Sequence, residues 1–387
     1  MVAALSLTLL AVGVSGSIAR PWRLPAWIFP VTAAVVALSV GVLAPGDAWD
    51  AVQPLVEPIA FLLLAVPLAV LLDQLGVFGA AAGLAAGRHL CAGMWLLCAV
   101  AVAVLNLDAA VVLCTPLTIT VARRWQLDPV AMAFQPALLA CLASSALPVS
   151  NLTNLIAISE GRIGAVTLVT HLGLPTLVAC AVGYAGWRFA FRHRALTPIR
   201  PPVDERPSPQ ALLIGAAVLA TLLVGFLAGR VVGIQPWMVV AAVDVVLIGG
   251  ARTVPWRSIP WGTAAVAAGL AIVATAAAQR AGVADRLVAG GTWPQALLGA
   301  GAANVLNNLP AFLVALPHVT GTDHVVALLF GVNAGPTVLV TGSLAGLLWL
   351  ESARRGGLDV GGLDYARVGL VAGVPALVAG IAILALL

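Results

Sequence analysis

The feature that most constrains this chain is the length of its apolar runs. Ala3–Ala19, Ala26–Leu43, Pro54–Leu72, Leu90–Ala122, Gly164–Phe191 and Tyr365–Leu387 carry few charges. Each approaches or exceeds the ~20 residues that span a hydrocarbon core. Only 9% of the 387 residues are charged and 61% are hydrophobic, where soluble domains carry about 25% charged residues. A soluble core could not bury so much apolar surface, so lipid is the solvent and the chain reads as an all-α membrane protein.

Every basic side chain is Arg; there is no Lys. The Arg residues collect in short loops, the positive-inside pattern of a membrane protein and not a nucleic-acid footprint. The first run lacks a basic start and is followed by Arg20 and Arg23, so it reads as a retained span and not a cleaved signal. Cys91, Cys98, Cys114, Cys141 and Cys180 lie inside apolar runs with no CxxC pair. Neither a disulfide framework nor a zinc site is indicated, and small apolar packing is the plain reading.

Threading the runs between Arg loops predicts ten transmembrane helices and two re-entrant hairpins. In the first half, residues 1–192, spans at Ala3–Ala19, Ala26–Leu43 and Pro54–Leu72 precede a segment at about 90–122 with Arg88 at one end and Arg123 and Arg124 at the other. Basic ends on one side mean entry and exit from the cytoplasm, hence a hairpin interrupted at Leu105–Asp108. A broken helix at about 129–159 and a span at Gly164–Phe191 follow. Residues 193–209, with Arg194, Arg200, Arg206 and several Pro residues, read as a cytoplasmic linker. The second half, 210–387, repeats the order in the opposite direction. It has a hairpin at about 292–317 broken at Asn307–Pro310, and a second broken helix at about 324–351. This is the inverted-repeat plan of secondary transporters of the cell inner membrane, with both termini outside.

Irregular backbone survives at membrane depth only inside protein or beside water. The four interruptions therefore mark the candidate binding site. In the first half they offer Asn106, Asp108, Thr115, Ser150, Asn151, Thr153 and Asn154; in the second, Asn304, Asn307, Asn308, Asn333, Thr337, Thr341 and Ser343. Half-helix ends and amides there can bind small polar solutes. The plainer alternative is that they cap the broken helices and join neighbours. Asp108 stands out, because intramembrane acids are costly and usually functional; it is the candidate proton carrier. Asp244 is a second candidate for proton coupling. Glu57 and Asp73 lie near span ends and read as solvated, and His171 as a packing residue. No GxxxxGK[ST] loop, HExxH pair or Arg ladder occurs, so ATP hydrolysis, metalloprotease chemistry and voltage sensing find no support, and no cofactor is called for.

Four elements carry a family resemblance. Ser145–Asn154 resembles the "SLP…SNLxN" element of ArsB-type arsenite and antimonite efflux permeases. Asn307–Pro310 resembles their "NNxP" element, and Gly335–Pro336 with Thr341–Ala345 and Leu347–Leu350 their "GP…GSLAxLLWL" element. Asn106 and Asp108 with Thr115–Pro116 resemble the "ND…LTP" element. The chain departs in separating Asn106 from Asp108 by Leu107, and in having Asn333 where an acid often precedes the Gly-Pro.

The resemblance implies a member of the ion transporter superfamily with ten spans, two hairpins and alternating access. It implies export of arsenite or antimonite in exchange for protons, with a soluble arsenite-stimulated ATPase as partner in some systems. Asn151 and Asn154 would then face Asn307 and Asn308 across a pseudo-two-fold axis. Arsenious acid is neutral at pH 7, and the clusters supply Asn, Ser and Thr without Arg. The alternative is a sodium- or proton-coupled transporter of dicarboxylate or another small anion on the same fold, since amides and helix N-termini alone can bind anions.

Overall fold

The computed structural model describes residues 2–19, 21, 24–84, 89–104, 106–198, 208–229, 233–281 and 287–387. Arg20, Arg23, Arg88, Leu105 and most of the expected linker, 199–207, lie outside the described residues.

The described residues form helices and turns, without a strand. Among the described residues, five helical stretches are long and apolar enough to cross a membrane: Val2–Ala19, Pro45–Gln74, Ala165–Ala190, Trp256–Arg280 and Gly362–Leu384. The other expected spans are occupied by shorter apolar helices, among them Ile28–Ser39, Pro129–Leu142 and Pro236–Ala251.

In chain order the helices are α1 (Val2–Ala19), α2 (Ile28–Ser39), α3 (Pro45–Val52), α4 (Val56–Gln74), α5 (Val77–Leu84), α6 (Leu90–Val104), α7 (Leu107–Arg124), α8 (Pro129–Leu142), α9 (Leu152–Ser159) and α10 (Ala165–Ala190). There follow α11 (Pro209–Gly229), α12 (Pro236–Ala251), α13 (Trp261–Ala281), α14 (Thr292–Leu306), α15 (Asn308–Ala315), α16 (Thr322–Ala334), α17 (Leu344–Arg355), α18 (Gly362–Val368) and α19 (Val374–Leu384).

Local chemistry explains where helices stop. Between α6 and α7 the backbone turns at Asn106, with φ 145°, and between α14 and α15 at Asn307, with φ 79°. Asn tolerates positive φ better than most side chains because its short amide bonds locally. Each Asn then caps the helix it opens: Asn106 Oδ1 accepts from the Ala109 N–H at 2.8 Å, and Asn307 Oδ1 from the Leu309 N–H at 3.4 Å. The second kind of break is longer. α8 stops at Leu142, a 3₁₀ turn covers Pro148–Ser150, and α9 restarts with Asn151 capping the Thr153 N–H at 3.3 Å. α16 stops at Ala334 before Pro336, a 3₁₀ turn covers Val340–Gly342, and α17 restarts with Ser343 capping the Gly346 N–H at 3.1 Å. Proline supplies no N–H to continue a helix, and the hydroxyl and amide caps replace the missing partners.

Two packing groups emerge. α1, α2 and α13 pack on one another, and α4 pairs with α12, which also holds α11. α8 lies among α6, α7 and α10, while α10 packs on α19 and α14 on α16. The α14–α16 seam is close because Gly331 of α16 and Gly335, which caps its end, face Ala296 and Ala300 of α14; a Cβ on Gly331 would run into the Ala296 carbonyl. Lipid is as apolar as a side chain, so small residues that let backbones approach drive such pairing. α8 is also held by two indoles: Trp187 donates to the Ala131 carbonyl and Trp349 to the Ala133 carbonyl, each at 2.7 Å.

Two of the arginines that tie helix ends across the chain reach the interrupted elements. At the end of α7, Arg123 donates to the Gly356 carbonyl beyond α17 at 2.5 Å. Beyond α9, Arg162 donates to the Leu316 carbonyl at 2.9 Å and to that of Val319, just past α15. Each bond joins the second helix of one interrupted pair to the end of the other broken helix.

Candidate functional site

The breaks at α8/α9 and α16/α17 meet in one buried hydrogen-bond network. Asn333 is at its centre. Its Oδ1 accepts from Asn151 Nδ2 at 3.0 Å and from Thr153 Oγ1 at 2.6 Å. Its Nδ2 donates to Asn154 Oδ1 at 2.8 Å. Asn154 Nδ2 in turn donates to the carbonyls of Ser144 and Leu147, both at 3.0 Å. Ser150 Oγ bonds the same two carbonyls at 2.5 and 2.6 Å. All five side chains are at most 2% exposed. Backbone carbonyls can only accept, so they fix the orientation of the Asn154 amide, which fixes that of Asn333.

The sequence expectation that Asn151 and Asn154 face Asn307 and Asn308 differs from this arrangement. Their amides bond Asn333, and Asn307 Nδ2 donates instead to the Thr341 carbonyl at 3.1 Å. Side chains of α9 and α15 do meet, but through Leu152, Ile156, Leu309 and Leu313. An apolar contact there leaves no place for the amides, which turn to the break that offers polar partners. Asn308 keeps its carbonyl for the Leu309 N–H at 2.9 Å. Asn304 clamps the second break, donating to the Gly335 carbonyl at 2.7 Å and accepting from the Leu339 N–H at 2.8 Å.

Thr337 is sealed off. It lies against Gly369 and Gly373 at the two ends of a π-helical turn, and no side chain would fit at either glycine. Ser343 is occupied as the cap of α17. Unused hydrogen-bonding capacity lies elsewhere: Asp108 Oδ1, Thr115 Oγ1, Thr341 Oγ1 and Asp244 Oδ1 are buried without a hydrogen-bond partner.

Asp108 opens onto a cavity of about 450 Å³, whose polar lining also includes Glu57, Asn106, Ser159 and Gln235. Phe61, Leu152, Ile156 and Trp237 form apolar wall. Among the described residues, the two charged members of the lining are acids, and no Arg or His borders it. Four elements converge to build it: the start of α4, the Asn106 corner, α9 and the N-terminal end of α12. Sequence reasoning set Glu57 aside as solvated and passed over Ser159, Gln235 and Trp237. Their only signal was a position at helix ends, and helix ends do not reveal which neighbour they approach. A smaller cavity of about 180 Å³, bordered by Asp47, Asp50, Thr275 and Gln279, lies against Leu309 and Pro310.

The remaining expected residues are dispersed. Asp244 is on α12, about two turns beyond Trp237 and outside the cavity lining. His171 bonds the Thr167 carbonyl of its own helix at 2.9 Å. Among the described residues no group of three or more His, Cys, Asp or Glu side chains comes together as a metal site.

The arrangement thus pairs a polar network, which holds two broken helices together, with a cavity bordered by a carboxyl that has one oxygen buried and unpartnered. A buried acceptor without a donor is costly, so the Asp108 carboxyl at the edge of the cavity is where a proton gains most.

Known proteins agree with a transport fold. The chain is 27% identical over 399 residues to an arsenical pump membrane protein of Yersinia enterocolitica, covering 91% of each chain. It is 27% identical over 397 residues to the arsenical pump membrane protein of Escherichia coli K12, again with 91% of each covered. The CitMHS family, described as citrate transporter, matches residues 18–346. The protein is a multi-pass membrane transporter, and it belongs to the CitMHS citrate transporter family.

Proposed function

We propose that this chain exports arsenite or antimonite across the cytoplasmic membrane in exchange for protons, as an ArsB-type permease. The observation that carries the reading is the charge of the cavity: among the described residues its charged lining members are Glu57 and Asp108, with no cation among them. A citrate or dicarboxylate ion would meet its own charge there. A neutral trihydroxide would not, and its hydroxyls could exchange hydrogen bonds with the Asp108 carboxyl and with Asn106, which border the cavity. Size agrees: 450 Å³ admits a small solute with several waters, each of which takes about 30 Å³.

In this reading the halves 1–192 and 210–387 are inverted repeats joined by the linker 193–209. The pairs α6/α7 and α14/α15 are the re-entrant hairpins, and both termini lie outside. Glu57, Ser159 and Gln235 then stand at the outer end of the cavity and Asp108 at its floor. Asp108 exchanges the proton, with Asp244 as a second proton-coupling group on the flanking spans. Thr115, Thr341 and Asn307 border the route, while Ser150, Asn151, Thr153, Asn154 and Asn333 keep the broken helices in register. Thr337, Ser343 and Asn308 shape the second break. A soluble arsenite-stimulated ATPase would dock on the Arg-rich cytoplasmic linker.

The test is expression in a host that lacks its own exporter. Restored arsenite resistance, with metalloid efflux from loaded cells, supports the reading. The name of the family favours a second one, sodium- or proton-coupled transport of citrate or a related carboxylate; saturable citrate uptake without arsenite resistance would replace the first reading with it.

A further inference from the structure

The corner at Asn106 sets a register between the helices on either side. α6 and α7 run in opposite senses from it and pack on each other. Cys98 lies eight residues before Asn106 and Cys114 eight residues after it. At 1.5 Å rise per residue both stand about 12 Å from the corner, at one depth on facing helices. Cys114 is the neighbouring group that acts most strongly on the Cys98 thiol across the pair, and the two residues are 0% and 5% exposed. Two other thiols are engaged with backbone: Cys91 with the Leu196 carbonyl at 3.4 Å and Cys141 with the Pro336 carbonyl at 3.5 Å. Cys180 borders an apolar groove on α10.

We propose that Cys98 and Cys114 form a two-sulfur chelate site for trivalent arsenic or antimony inside the first interrupted helix pair. The choice of ligand rests on the arsenite reading; the sulfur pair does not. Asp108 is six residues from Cys114 on α7, about 9 Å along the axis, so a metalloid beside Asp108 is under two turns from the thiols. Soft thiolates favour soft metal centres over oxygen ligands. The reaction is a condensation: As(OH)₃ + 2 RSH → (RS)₂AsOH + 2 H₂O. Two As–O bonds break and two As–S bonds form. Each thiol proton leaves on a departing hydroxide as water, and no oxidation state changes. The remaining hydroxyl completes the three-coordinate centre, so no third protein ligand is required.

The experiment uses the purified full-length protein and phenylarsine oxide, an arsenical whose two exchangeable positions demand a thiol pair. After saturation and removal of excess reagent, the protein is denatured and labelled with a maleimide. Peptide mass spectrometry then reads which cysteines were protected. The expected result is protection of Cys98 and Cys114 together, reversed by a competing dithiol, with Cys91, Cys141 and Cys180 labelled. Cys98→Ala should lower protection of Cys114 at least tenfold, and Cys114→Ala that of Cys98, while Cys180→Ala changes neither. Labelling of Cys98 and Cys114 in the saturated wild-type protein overturns the proposal without any variant having to fold. Metalloid efflux is measured separately. Efflux without protection removes the chelate and leaves the transport reading; protection without efflux removes the transport reading and leaves the chelate.

Discussion

Asn333 on α16 donates its amide to the Asn154 side-chain carbonyl on α9 at 2.8 Å, and this bond stitches two broken helices together. The same Asn333 accepts from Asn151 and Thr153, so a single side chain satisfies three others. In a bundle surrounded by lipid no water replaces a lost partner.

Asn333→Ala would leave Asn154 without a donor, and Asn151 and Thr153 without their shared acceptor. Each buried unsatisfied group costs about 1–3 kcal/mol. The variant should unfold in detergent several degrees below the wild type, as read by the fluorescence of its buried indoles. An unchanged midpoint would mean that the network contributes nothing to holding the two breaks together.

The Asp108 carboxyl, with one oxygen buried and unpartnered, should carry the proton dependence of the proposed export. In everted vesicles, metalloid accumulation should rise with an imposed proton gradient. Asp108→Asn keeps the size of the side chain and removes the exchangeable acid, so accumulation should lose that dependence while arsenite still binds. The same assay on Asp244→Asn weighs the second buried carboxyl. If Asp108→Asn keeps the wild-type pH profile, the proton travels elsewhere.

The α14–α16 seam makes a contrast between glycines. Gly331 meets the Ala296 carbonyl, whereas Gly301 on α14 faces open space. Gly331→Val should cost about 1–3 kcal/mol or more by forcing the helices apart. Gly301→Ala should be neutral or stabilise by up to about 1 kcal/mol, since alanine is the better helix former. Thermal unfolding of the two variants side by side checks the sign of each.

Arg162 caps the chain beyond α15 through the Leu316 and Val319 carbonyls. Arg162→Gln should raise amide hydrogen exchange in residues 312–320 several-fold and leave α10 unchanged. Arg123→Gln should do the same beyond α17, where Gly356 loses its donor. Exchange that rises uniformly over the chain would point to global loosening and not to a local tie.

The helix interruptions were open to reading because proline, glycine and paired asparagines at mid-run have local consequences. Pro148, Pro336 and the Asn307–Asn308 pair announce a stop wherever the helix is placed. The partner of each polar group was not open in this way. Asn151 and Asn154 were expected opposite Asn307 and Asn308, yet they bond Asn333. Glu57 was set aside and borders the cavity with Asp108. Cys98 and Cys114 read as separate apolar packing residues until α6 and α7 folded against each other.

By itself, then, the sequence determined the solvent, the helical class, the places where helices fail and the identity of the groups offered there. These follow from hydrophobicity, backbone restriction and capping, which act over a few residues. Tertiary structure alone decided which offered groups are consumed and which remain free. The Asn333 network is spent on itself, while Asp108 keeps an unpartnered oxygen. That outcome depends on close approach between helices far apart in the chain, which small residues such as Gly331 and Gly335 permit and no local pattern can orient.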